Sequence, residues 1–200
     1  KRFMKITILY DNYAFKKEYK KGWGFSALLG EEILFDTGEK GRFLLKNIKT
    51  AGFSLNTVKR IVLSHDHWDH WGGLWKVLKL KENLPVHVCP GFTEKTKTKI
   101  LKKGGQLVLS EEFYELEEGV FTTGELWGAH NNKPICEQSL IIKTEKGVSL
   151  ITGCAHPGII TLLDLLKEKF PRETVYAVIG GFHLYKKESK EVEAVISKIK

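Results

Sequence analysis

Three of the chain's seven histidines fall within six positions, in the run Ser64-His65-Asp66-His67-Trp68-Asp69-His70-Trp71-Gly72-Gly73. In extended backbone the side chains alternate, so His65 and His67 face the same side. A tight turn after His67 brings Asp69 and His70 to a neighbouring position, and Gly72-Gly73 lets the chain swing into a following helix. Neutral imidazoles and a carboxylate, at ~2.0–2.2 Å, are the ligands zinc takes. The competing reading is a surface cluster without metal. It is weaker, because a strand that delivers alternating histidines into a His/Asp turn has little structural purpose.

Two later segments could complete such a centre. In Ile151-Thr152-Gly153-Cys154-Ala155-His156, a buried strand ends in a thiol and an imidazole two residues apart, and either could ligate. His156 is preferred to Cys154 as the ligand, with Cys154 as a small packed residue the alternative. Val178-Ile179-Gly180-Gly181-Phe182-His183 is a second strand that ends in glycines and a histidine, His183. For both histidines a satisfied structural role is the competing reading. His130 could supply a late ligand in place of Cys154 or His156, although a loop role is preferred; Glu137 and Gln138 are expected nearer the site, and His87 simply on a strand.

At these residues the chain resembles the metallo-β-lactamase superfamily, whose hallmark is His-x-His-x-Asp-His at the end of a strand. His183 is similar to the family's late histidine, and the resemblance assigns it to the metal. Phe35-Asp36-Thr37-Gly38 is similar to that family's early aspartate turn. The resemblance implies that Asp36 supports the metal loop from behind the ligands; capping of the next helix is the plainer alternative. Where the family has a bridging aspartate, this chain has Cys154. It also lacks the glycine-rich histidine stretch that precedes the strand at 139–143. Leu9-Tyr10-Asp11-Asn12, Gly24-Phe25-Ser26, Glu137-Gln138 and Gly180-Gly181-Phe182-His183-Leu184 resemble one branch in particular, the metal-dependent hydrolases of β-lactamase superfamily II. That branch includes archaeal pterin- and aryl-ribose-phosphate synthases. Its members run past the last helix into another histidine-containing stretch, so either a shortened chain or a differently completed site is expected.

The elements that must position these groups alternate along the chain. Strands are expected at 5–10, 25–29, 33–35, 60–63, 86–88, 106–109, 113–116, 120–122, 139–143, 148–152 and 175–179, from β-branched and aromatic content between polar breaks. Helices are expected at 41–51, 72–79, 93–103, 158–169 and 188–199. Glu145-Lys146-Gly147 reads as a hairpin turn. This is a layered α/β pattern, sheets inside and helices outside. The resemblance sharpens it to a four-layer αββα sandwich in one domain spanning 1–200.

Composition bounds the rest. The chain has 200 residues, 42% hydrophobic and 11% aromatic, which is globular rather than disordered. No stretch approaches the ~20 apolar residues of a membrane span, and no leader precedes the first strand, so no membrane partner and a cytoplasmic location are expected. Three cysteines in a chain this long do not form a disulfide framework. The net charge of +8 accompanies abundant Lys and Glu, one Met and two Gln, a bias of proteins from hot environments. The lysines are scattered, so nucleic acid is not expected as a partner. The densest group, Lys95 to Lys103, reads as the solvated face of a helix.

The expected activity is that of a metal-dependent hydrolase with two divalent ions, zinc foremost and manganese or iron as alternatives. His65, His67 and a later histidine would hold one ion, and Asp69, His70 and His183 the other. A metal-bound hydroxide would attack an ester or phosphoester of an anionic or phosphorylated small molecule, with Asp69 as the catalytic carboxylate. Trp68 and Asn12 are the expected pocket residues, a wall suited to a flat heterocycle. Trp71 and Trp75, four apart, are expected to pack in the core. The alternatives are a synthase of the methanopterin type and a catalytically weak metal- and ligand-binding protein on the same scaffold.

Overall fold

The computed structural model describes residues 4–184 and 187–199. A six-stranded sheet holds β1 (Ile6–Tyr10), β2 (Ser26–Leu29), β3 (Ile33–Phe35), β4 (Arg60–Val62), β5 (Pro85–Val88) and β6 (Gln106–Leu109) in that order. The first three strands pair antiparallel and the last four parallel. A five-stranded sheet has the order β13 (Val175–Gly180), β12 (Gly147–Thr152), β11 (Leu140–Thr144), β8 (Val120–Thr122) and β7 (Tyr114–Glu117). Only β12 and β13 pair parallel in it. The hairpin turn expected at 145–147 joins β11 to β12.

Alternation along the strands sorts their side chains into layers. On one face of the first sheet, Leu28, Leu34 and Ile61 pack on Leu44 and Ile48 of α1 (Gly41–Thr50) and on Ile100 of α4 (Glu94–Lys102). Val77 and Leu78 of α3 (Leu74–Leu80) join the same layer. On the opposite face Ala27, Leu29, Ile33, Phe35 and Val62 meet Val120, Leu140, Ile142 and Ile151 of the second sheet. The far face of that sheet, with Ile141, Val148 and Leu150, is covered by Ile159, Leu162, Leu163 and Leu166 of α5 (Ile159–Lys169). Val195 of α6 (Ser189–Ile199) packs at its margin. Three apolar layers between four layers of structure are the αββα sandwich expected from the resemblance. Among the described residues no helix is long and apolar enough to cross a membrane.

Two of the expectations that change concern the site. Residues 68–71 form a one-turn helix, α2 (Trp68–Trp71), entered from an extended His67 with φ −107° and ψ 141°. Asp69 and His70 therefore ride on helical rather than turn backbone. The stretch 126–137, expected as a loop, is a hairpin of β9 (Leu126–His130) and β10 (Lys133–Glu137). Asn131 and Asn132 make its two-residue turn at φ 50° and 60°, the left-handed pair a type I′ turn demands and asparagine tolerates.

The lysine-rich helix α4 is less solvated than expected. Lys99 Nζ lies 4.0 Å from the Trp75 ring centroid, and Lys97 donates to Pro90 O at 2.9 Å. Trp71 and Trp75 meet edge to face at 5.3 Å beside the first apolar layer.

His87, on β5, is buried between the sheets with Nδ1 2.9 Å from Tyr114 Oη. Burial first, and Arg60 second, push its pKa down to about 4. The unfolded chain, with an ordinary histidine near 6.5, then binds the proton that the folded chain refuses. Stability from neutral His87 is complete above pH 6.5 and is lost as pH falls to about 4, by about 3 kcal/mol. Urea unfolding at pH 7, 5.5 and 4 should show a shallower loss for His87→Gln than for the unaltered chain. Parallel curves would refute the assignment.

Candidate metal centre

The site lies where the strand ends of both sheets meet. The β3–α1 loop brings Asp36, β4 runs into Ser64 and His65, α2 brings Asp69 and His70, and the hairpin brings His130 and Glu137. The turns after β12 and β13 bring Cys154, His156 and His183. Asp36, Ala155 and His183 all have positive φ, at 52°, 56° and 50°, a backbone state non-glycine residues adopt at a cost and mostly at functional turns.

Asp36 is completely buried and does not cap α1, whose N-cap position is held by Lys40. Its Oδ1 accepts the Ser64 N–H at 2.7 Å, and its Oδ2 accepts Ser64 Oγ–H at 2.7 Å and His70 Nδ1–H at 2.6 Å. Ser64 Oγ is also 2.9 Å from His65 Nδ1. With its own proton given to Asp36, this hydroxyl accepts from His65. Both imidazoles, when neutral, are thereby held with Nδ1 protonated and Nε2 bare. Burial opposes charge on His70, but the adjacent Asp36 carboxylate outweighs it and raises the pKa well above the usual value, so His70 Nε2 holds a proton that a bound cation would displace. Gly153 makes room for this arrangement. A Cβ there would collide with Ser64 Oγ and lie 3.2 Å from Asp36 Oδ2. Gly153→Ala should therefore cost about 1–3 kcal/mol by thermal unfolding, and an unchanged melting temperature would count against this packing.

The bare nitrogens converge. His65 Nε2 is 3.0 Å from His67 Nδ1, and the His156 ring centroid is 4.7 Å from His65 and 5.2 Å from His67. Donor atoms of these three lie within 4.8 Å of one another, as do those of His65, His70 and Cys154. Cys154 Sγ is 3.3 Å from His70 Nε2, and Asp69 Oδ2 is 3.8 Å from the same nitrogen. Burial, reinforced by neighbouring imidazoles, lowers the pKa of His65, His67 and His156, that of His156 to about 3. All three are neutral donors at pH 7.

Both His156 ring nitrogens are buried without a hydrogen-bond partner. An orphaned imidazole among other neutral imidazoles is costly unless a cation takes the lone pairs. The donor set fits divalent metal.

His130, for which a loop role was preferred to that of a late ligand, lies at the cluster. It ends β9 and faces His67 at 4.8 Å and His156 at 5.2 Å, ring to ring, with Nδ1 3.2 Å from His183 Nε2. His183 thus meets His130 and His156, and its pKa is lowered chiefly by burial. The thiol and imidazole of the 151–156 segment, read from sequence as alternatives, both reach the cluster, Cys154 on the His70 side and His156 on the His65–His67 side.

Glu137 is the residue whose role the sequence concealed. It bridges to His65 as an isolated antiparallel pair and is buried. Its Oε1 accepts the N–H of Cys154 (2.8 Å) and of Ala155 (3.0 Å) and the Thr152 hydroxyl (3.1 Å), and its Oε2 accepts the His156 N–H (2.8 Å). One carboxylate therefore shapes the whole turn that carries both late donors. Gln138 faces away, bonding Leu63 O, His87 O and the Thr122 hydroxyl.

A cavity of about 590 Å³ opens beside this cluster, with Asp69, His70, Cys154 and His183 on its inner wall. Asn12 lines it together with Asp11 and Trp23. Trp68 is 54% exposed and does not line it. The cavity's aromatic lining comes from Trp23, Phe25 and Phe182.

The chain was compared with known proteins. The family model described as metallo-beta-lactamase superfamily matches residues 28–194. A 7,8-dihydropterin-6-methyl-4-(beta-D-ribofuranosyl)-aminobenzene-5'-phosphate synthase of Methanocaldococcus jannaschii is 30% identical, covering 98% of this chain and 83% of its own. A crystal structure of a metal-dependent hydrolase of the β-lactamase superfamily superposes with a TM-score of 0.78 at 27% identity, over 98% of this chain and 83% of that one. An N-acyl homoserine lactone lactonase shares the fold at a TM-score of 0.54 and 22% identity, over 83% and 81%. With the histidine run, the four layers and a family match over most of its length, the chain belongs to the metallo-β-lactamase superfamily.

Proposed function

We propose that the chain is a metal-dependent hydrolase that holds two divalent cations, zinc foremost with manganese or iron as substitutes, and acts on an ester or phosphoester. The observation that carries the reading is His156, whose two nitrogens are buried and unpartnered amid His65, His67, His130 and His183. His65, His67 and His156 would hold one cation, and His70, Cys154 and Asp69 the other. Cys154 takes the place beside His70 that the sequence reading gave to His183, because its sulfur is 3.3 Å from the His70 nitrogen. A cation pair there supplies Lewis-acid polarisation and a water acidified to near neutral pH.

The chain's own groups do the rest. Asp69, near the His70 nitrogen and open to the cavity, would ligate through one carboxylate oxygen and accept the attacking water's proton through the other. His130 and His183 form the polar rim next to His156, placed to contact an oxyanion of the substrate. Asp36, Ser64 and Glu137 hold the donors in one orientation, so little reorganisation accompanies reaction.

Elemental analysis tests the metal centre. About two ions per chain are expected, falling by at least one in His65→Ala and in His156→Ala. Undiminished metal in both variants would overturn the ligand assignment. Turnover of bis(4-nitrophenyl) phosphate or an aryl ester by the metal-loaded protein then tests the hydrolase reading.

The synthase reading draws on the Methanocaldococcus relative and on the cavity, whose Trp23 face and Asp11–Asn12 edge suit a flat, amino-bearing heterocycle attached to a phosphate. Thermal stabilisation by a dihydropterin together with an aryl-ribose phosphate, without turnover of the ester probes, would favour it. Metal binding with neither response would point to a weakly catalytic binding protein.

A further inference from the structure

On the opposite side of Ser64 from the histidine centre lies a second convergence of donors. Cys89 follows β5, Glu125 precedes β9, and Cys136 is on β10, so three separate segments bring two sulfurs and a carboxylate within 4.8 Å of one another. Cys89 and Cys136 are 0% and 2% exposed and both are free thiols, within the apolar layer under the first sheet. Cys89 Sγ faces Ser64 O at 3.9 Å. Glu125 is fixed by two N–H donors, Gly91 N at 2.6 Å and Trp127 Nε1 at 3.0 Å, and its partial exposure leaves a way in. The Trp127 ring and Cys136 Sγ close over Gly91 so tightly that a Cβ there would lie 2.8–2.9 Å from both.

We propose that Cys89, Cys136 and Glu125 form a structural site for a thiophilic divalent cation, zinc in type, separate from the histidine centre. Two sulfurs and one oxygen are within zinc's range of ligands, and a carboxylate held by outer N–H groups is how bound metals orient such a ligand. Binding releases both thiol protons to solvent, and the cation offsets two thiolates and a carboxylate that burial would otherwise make costly together. The ion clamps the β9–β10 hairpin, which carries His130 and Glu137, to the end of β5. Its effect on the histidine centre is therefore one of position. A Cys89–Cys136 disulfide is the competing state of the same pair.

The test loads protein with cobalt(II) as its only metal, in a Cys154→Ser background that removes sulfur from the histidine centre. A sulfur-to-cobalt charge-transfer band in the near ultraviolet is expected. It should disappear when Cys89→Ala and Cys136→Ala are added, and cobalt content should fall by one ion per chain. A folded, cobalt-binding Cys154→Ser protein without the band overturns the proposal, as does a band that survives the added substitutions. The Cys154→Ser spectrum is decisive even if the triple variant does not fold. Because the band reports sulfur alone, its absence leaves the histidine centre standing, and loss of cobalt from that centre in His156→Ala leaves the band standing.

Discussion

Asp36→Asn should strip the His70 side of the centre of metal, with affinity there lower by about 10–100-fold, and should weaken the His65–His67–His156 side less, through the Ser64 hydroxyl that links Asp36 to His65. The carboxylate accepts from His70 Nδ1 at 2.6 Å and from the Ser64 hydroxyl at 2.7 Å on the same oxygen. An asparagine amide at that oxygen's place donates instead, so the His70 proton moves from Nδ1 to Nε2. A protonated Nε2 has no lone pair to offer beside Cys154 and Asp69, although every atom is nearly where it was. The same logic drops catalysis in a triad when the orienting aspartate becomes an amide. Competition with a chelator of known affinity, followed by elemental analysis, measures the two sides separately. Two ions held as tightly as before would show that Asp36 only braces the loop. The stability loss should be modest, about 1–2 kcal/mol, because Oδ1 remains to accept the Ser64 N–H.

Glu137→Ala should have the larger effect on folding. It deprives the N–H groups of Cys154, Ala155 and His156, and the Thr152 hydroxyl, of their acceptor in a buried turn. Water that enters the space can satisfy some of these donors, so the cost is roughly 3–5 kcal/mol rather than the sum of four losses. For a chain of this length that is a fall in melting temperature of roughly 10 °C. Glu137→Gln separates charge from shape. Its oxygen can retain the bonds at Oε1, but its NH2 opposes the His156 N–H, and a loss of about 2 kcal/mol is expected. Ala155, with φ of 56°, is held in that state by this carboxylate, so the variant should also release metal more readily on the His156 side. A Glu137→Ala protein that melts as the unaltered chain does and keeps its metal would refute this account.

The superfamily and its layering were legible because both are written in local pattern. The 64–73 run names candidate donors by residue type and alternation, and the strands at 33–35, 106–109 and 120–122 are observed at the bounds their composition suggests. The hairpin at 126–137 was legible in principle from Asn131-Asn132 between alternating residues, but its strands carry Gly128 and Pro134, which weaken a strand reading. Without that hairpin His130 had no place in the site.

The sequence by itself determined which donors exist, on which elements, and the sidedness of His65 and His67, since these follow from backbone periods. Only the tertiary structure decided that Cys154 and His156 both reach the cluster from opposite sides, that His183 meets His130, and that Trp23 rather than Trp68 walls the cavity. It also decided that Glu137 supports a turn 17 to 19 residues away. These are contacts between segments distant in the chain, set by how two sheets and a hairpin pack. No repeat along one segment encodes the direction in which a side chain on another will approach it.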